Sequence, residues 1–173
     1  MIKVNRFLKE WNAVVEALVQ GYQTILIRKY GTNMKKFLMY PTTGYLVHDD
    51  FLKSFQGKYH EFVTKNSAPE IKEDQIKIKY FTKVEKIIQY NDSNNLDKYS
   101  IWTQEHINNY LNNDPAIIWV MRVYKLKKHL TTESAMGIRY SKTNHTLKTN
   151  ELKPIIDDKK FLKIKEKLEV TNP

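Results

Sequence analysis

Residues 116–126 read AIIWVMRVYKL, the most apolar run in the chain. Eleven residues are too few to cross a bilayer as a helix, which takes about 20. The run is rich in Ile, Val, Trp and Tyr, residue types that suit a pleated, packed surface, so it is expected to form a central strand. A central strand needs neighbours, and the best one lies upstream. Between Gln75 and Tyr90, Ile76, Ile78, Tyr80, Thr82 and Val84 recur at a spacing of two with lysines between them. That alternation marks a strand with one packed face and one wet face. Ile87-Ile88 breaks the alternation, where a bulge or register shift is expected.

The remaining segments add to a sheet rather than to a helical bundle. Val14–Val19 and Ile25–Ile27 flank Gln20-Gly21-Tyr22-Gln23, and two apolar runs around a glycine turn favour a β-hairpin. A helix through 8–19 competes, since Ala13, Glu16, Ala17 and Leu18 also suit helices. Phe37–Tyr40 reads as a short strand stopped by Pro41, which lacks the N–H a ladder uses. Three short helices are expected. Asp49 or Asp50 would cap one over Phe51–Phe55, with further turns near Tyr59–Val63; Thr103 would cap one through Leu111; Asp157 or Asp158 would cap one through Leu168. Strands do not alternate with long helices, which excludes a doubly wound fold. The expected class is α+β: a curved, mostly antiparallel sheet in a single domain over 1–173, with a C-terminal helix at about 155–169 packed on the sheet.

The chain carries 29 Lys+Arg against 19 Asp+Glu, a formal charge of +10, and no cysteine. Disulfides, thiol catalysis, iron–sulfur clusters and Cys-type zinc sites are excluded. No apolar stretch approaches about 18 residues, so a soluble, cytoplasmic protein without membrane contact is expected. The charge favours a polyanion as partner, nucleic acid being the commonest. Phosphate-binding glycine loops, nucleophile elbows and HExxH pairs are absent, and no cofactor is called for. His48-Asp49-Asp50 suits a loop entering a helix better than a metal site, because paired aspartates favour the positive end of the helix dipole. An enzymatic rival would gather Glu70, Glu73, Asp74 or Glu85 near Lys77 around a divalent ion, as a metal-dependent phosphodiesterase. A third reading is a protein–protein interaction module. Against these stands a recurrent pairing of cations with aromatics: Arg28-Lys29-Tyr30, Lys35-Lys36-Phe37, Arg122–Lys125 and Arg139-Tyr140. Bases stack on aromatic rings and cations neutralise phosphates. Arg28, Lys29, Lys35, Lys36, Arg122 and Arg139 are thus the candidate phosphate contacts. Tyr40, Thr42, Trp102 and Thr103, at a strand end and a helix start, are the candidate base pocket.

Four blocks carry a family resemblance. They are Leu8–Lys29 followed by Gly31, then Phe37-Leu38-Met39-Tyr40-Pro41-Thr42, then Ile101-Trp102-Thr103 with Arg122–Leu126, and finally Pro154–Phe161. In this order they resemble the domain of unknown function 1802 family across nearly the whole chain. The family carries no assigned activity. Its reported company with restriction-endonuclease domains implies, by association, a place in restriction–modification or DNA defence, a partner nuclease, and DNA rather than RNA as ligand. By strand order, the sheet is expected to approach a small PUA-like barrel, whose closure would remove exposed edges.

Overall fold

The computed structural model describes residues 4–132, 147, 149 and 151–170. Its strands are β1 (Phe7–Trp11), β2 (Ile25–Arg28), β3 (Lys36–Thr42), β4 (Ile71–Lys72), β5 (Gln75–Tyr90) and β6 (Ala116–Thr132). Its α-helices are α1 (Asn12–Gln20), α2 (His60–Lys65), α3 (Gln104–Leu111) and α4 (Asp158–Val170). The strands form one sheet in the order β1-β3-β5-β6-β2, with β4 beside β5. β1 and β3 run parallel and the other pairs antiparallel. This is the α+β class and the curved, mostly antiparallel sheet expected from the sequence.

The two long strands meet as the sequence pattern requires, Gln75–Tyr90 against Ala116–Thr132. The ladder slips between Ile78 and Tyr80 and again between Val84 and Lys86, earlier than the break expected at Ile87-Ile88. Each bulge adds local bend, which helps so long a ribbon curl. The sheet curls until its two edge strands face each other. No backbone ladder joins β1 to β2. Instead the Glu10 carboxylate on β1 accepts a hydrogen bond from the Arg28 guanidinium on β2. The result is a half-barrel whose seam is spanned by side chains.

Residues 12–20 form a helix, not the first arm of a hairpin. Gly21 adopts a left-handed conformation (φ 78°), and its N–H returns to Ala17 O. A glycine closing a helix and a glycine turning a hairpin leave the same mark in a sequence. The decision comes from packing. Asn12 through Leu18 are all buried, and α1 contacts β1, β3 and β6, filling the concave side of the curl. A hairpin arm would leave that space empty. α1 is therefore a helix beyond the three expected, and the first strand is Phe7–Trp11. Of the first expected helix, Phe51–Ser54 forms only a 3-10 turn without a side-chain cap from Asp50, and α2 follows at His60–Lys65. Pro41 does not stop β3 either, which continues to Thr42. Among the described residues β5 pairs with β3 only at Lys36–Leu38, so past Leu38 one side of β3 is unpaired and a missing N–H is tolerated.

Two apolar clusters pack against the sheet. The larger holds α1, Phe37, Met39, Trp102, Ile118 and Trp119. The smaller holds Phe7, Leu38, Tyr40, Phe81, Tyr124 and Leu126. α4 is seated on the sheet by side chains of β5 and β6. Arg122 stacks on Phe161 (4.4 Å) and bonds Asp158, and the Tyr90 hydroxyl donates to Leu168 O (2.5 Å). Asp157 caps this helix through Lys160 N–H. No helix among the described residues is long and apolar enough to cross a membrane.

Candidate nucleic-acid interface

The seam between β1 and β2 opens into a cleft of about 280 Å³. Lys9, Glu10 and Trp11 reach it from the end of β1, Arg28 and Tyr30 from the end of β2, and Thr42 from the end of β3. Trp102 and the α3 residues His106 and Tyr110 complete the lining. Four elements far apart in sequence thus converge because both edge strands end at the same rim.

Aromatic rings form the walls. Trp102 stands edge-on to Trp11 (5.6 Å) and to His106 (4.7 Å), and lies 5.9 Å from Tyr110. Side chains from elsewhere hold Trp102 in place. Gln56 Nε2 donates to Ser100 O and Trp102 O, and Gln23 Oε1 accepts Ile101 N–H at 2.9 Å. Thr103 caps α3, its hydroxyl accepting His106 N–H at 3.1 Å. The indole Nε1 of Trp102 is buried with no partner among the described residues.

Charge lies at the floor. The Arg28 and Glu10 side chains are 8% and 6% exposed. Burial alone would lower the Arg28 pKa, but the Glu10 carboxylate together with Tyr30 and Tyr110 raises the guanidinium above its ordinary value. Lys29, beside the cleft, lies 5.8 Å from the Tyr110 ring and pairs with Asp114 at 3.1 Å.

His106 gives this wall a pH dependence. Burial lowers its pKa below the ordinary 6.5. The unfolded chain then takes up this proton before the folded chain does, as pH falls. Stability from the neutral ring is fully present above the ordinary value and is lost as pH drops through the lowered one. Melting temperature should fall more between about pH 7.5 and about pH 5.5 for the unaltered chain than for His106→Phe. Parallel curves for the two would show that the ring does not titrate with folding.

Of the residues read from the sequence as a base pocket, Thr42 and Trp102 line the cleft, and Thr103 holds the helix behind it. Tyr40 does not line the cleft: it is buried in the smaller cluster, with Phe7 at 5.6 Å. It shares that cluster with Leu38, two residues earlier on the same strand. Of the candidate phosphate contacts, Arg28 is inside the cleft. Lys35 and Lys36 stand at the far end of β3, six residues or roughly 20 Å from Thr42. There Lys36 faces Lys83, which faces Arg122 across the sheet. Arg122 is engaged with Asp158, Ile156 O and Phe161. Arg139 lies outside the described residues.

The carboxylates of the enzymatic rival do not meet in one centre. Glu70 is held by Lys77 and Lys79, whose hydrogen bonds push its pKa down to about 2. Glu73 and Asp74 form the β4–β5 turn, with φ of 51° and 60°. Glu85 is exposed on β5. Among the described residues, no three His, Asp or Glu side chains gather where a metal ion could sit.

Tyr30 is marked in the sequence beside Arg28 and Lys29, but Lys9, Glu10, Trp11, His106 and Tyr110 carry no local signal of a site. Glu10 and Trp11 sit eighteen and seventeen residues before Arg28, and nothing in their spacing marks a pair. Only the curl of the sheet brings them together.

A family model described as Domain of unknown function (DUF1802) matches residues 7–167. No curated protein matches the chain. Among solved structures, the crystal structure of ASCH from Zymomonas mobilis is similar at 14% identity and a TM-score of 0.42. That match covers 68% of this chain and 66% of the other, just under two thirds of its length. A tyrosine-to-phenylalanine mutant of the same protein is similar at 12% identity and a TM-score of 0.43, with 74% of each chain covered. A serine-to-alanine mutant aligns at 14% identity and a TM-score of 0.40, covering 73% of this chain and 69% of the other.

Proposed function

The chain belongs to the DUF1802 family, and from its own geometry we propose that it is a nucleic-acid-binding domain which stacks an unpaired base in the seam cleft. The observation that carries this reading is the wall of Trp11, Trp102 and Tyr110 above a buried guanidinium, in a chain of charge +10. Flat rings accept any base face, each stacked base contributing about 1–3 kcal/mol. Lys9 and Lys29 at the cleft supply the positive field that draws a phosphate backbone. Lys35, Lys36 and Lys83 extend it along the sheet. The family's reported company with restriction-endonuclease domains makes DNA the first probe and a partner nuclease in DNA defence part of the proposal.

Fluorescence anisotropy with labelled single strands and duplexes, of DNA and of RNA, tests it. Binding is expected at low salt and should weaken steeply toward physiological salt, because neutralised phosphates release counterions. Tyr110→Ala should weaken binding about tenfold. Its melting temperature should move little, since that ring is half-buried while Ile107 and Leu111 keep α3 in the core. No binding to any strand at low salt would end the proposal.

A further inference from the structure

We infer that the cleft is built to read guanine, an inference that rests on the reading above that a base enters it. Glu10 and Arg28 lie side by side in its lining, with Trp11, Trp102 and Tyr110 around them. A carboxylate beside a guanidinium offers paired acceptors next to a fork of donors. Guanine alone among the common bases matches that order along one edge. Its N1–H and 2-amino groups are adjacent donors for the carboxylate, and its O6 follows as an acceptor for the guanidinium. Thymine and uracil offer a single N–H between two carbonyls, so a second carboxylate oxygen would face a carbonyl. Adenine and cytosine offer an amino group beside a bare ring nitrogen, which leaves one carboxylate oxygen without a donor.

Neither group is exhausted by its partners in the fold. Glu10 Oε1 accepts Trp11 N–H at 2.7 Å and Oε2 accepts from Arg28 Nη2, which leaves carboxylate lone pairs over. Arg28 Nη1 donates to Ile27 O at 3.2 Å, which leaves further N–H groups of the fork. Both side chains are more than nine-tenths buried, so a wrong base would strand a desolvated charge. A buried ion pair contributes little net stability compared with an apolar pair of its size. Its place in the lining of a cleft, rather than under the core, is what recognition requires. The aromatic walls contact the purine faces while the pair reads the edge.

The test needs no variant. A short single-stranded oligothymidine with one central guanine is compared by anisotropy with strands carrying hypoxanthine, adenine or cytosine at that position. Guanosine monophosphate is the second probe. Guanine is expected to bind about tenfold tighter than hypoxanthine, which lacks only the 2-amino group, and at least as much tighter than adenine. Glu10→Gln, which replaces one of the two acceptor oxygens by a donor NH2, should abolish the preference. If that variant does not fold, the base series on the unaltered chain decides. Strands that bind equally whatever the central base would overturn the guanine inference and leave the nucleic-acid reading standing. Guanosine monophosphate binding as tightly as the guanine strand would uphold the inference and remove the polyanion reading. No binding of any probe at low salt would overturn both.

Discussion

Replacing Arg28 by methionine while Glu10 stays is expected to destabilise the fold by about 3–5 kcal/mol, because a buried carboxylate is left without its counter-charge. That is a large part of the stability of an ordinary domain. Urea titration should show the midpoint falling steeply with little change in slope. The double variant Glu10→Leu/Arg28→Met is expected to recover most of the loss, since an apolar pair of similar volume avoids the desolvation that the ions suffer. The same double variant should lose base discrimination. Stability and recognition would then part company, which a purely structural salt bridge would not allow. A single variant that costs under about 1 kcal/mol would mean that water reaches the pair and screens it.

Trp119→Ala is expected to have a comparable effect on folding, by about 3–5 kcal/mol, through a cavity rather than a charge. Trp119 has no exposed surface, stacks with Phe37 (6.3 Å, 19°) and meets Tyr30 edge-on (5.7 Å, 88°). Its Nε1 donates to Tyr30 O at 2.9 Å, so truncation also leaves that carbonyl without this bond. Chemical denaturation of the variant beside the unaltered chain measures the loss. A shift below about 1 kcal/mol would mean that α1 and its neighbours close around the gap. Trp119 and Trp102 thus have different work, although both are tryptophans beside apolar residues in the sequence. The first is central in the core, and the second lies in the core cluster and also lines the cleft.

The strands were legible where a local pattern decides the outcome. Period-two alternation in 76–84 and the β-branched density of 116–126 each suit only a sheet, so β5 and β6 followed directly. The caps of α3 and α4 were legible for the same reason. Thr103 and Asp157 satisfy helix N–H groups within a few residues of themselves. Residues 12–20 were ambiguous because Val14, Val15 and Leu18 would be buried in either conformation. The concave side of the sheet had to be filled, and only a helix fills it.

The candidate site divides along the same line. Thr42 and Trp102 could be read from the sequence because a strand end and a helix start advertise themselves locally. Glu10 could not be read as Arg28's partner, nor Trp11 as Trp102's neighbour. Tyr40 and Thr42, two residues apart, end up with different surroundings: Thr42 closes its strand at the rim of the cleft, while Tyr40 is packed against Phe7 in the smaller cluster. Alternation, capping and composition act over a few residues, and they determined the α+β class, the basic charge and the two long strands. The curl of the sheet depends on bulges, on α1 filling its concave side and on which edges meet. Those are sums over residues distant in sequence, so the seam, the buried ion pair and the cleft above it were decided by the tertiary structure.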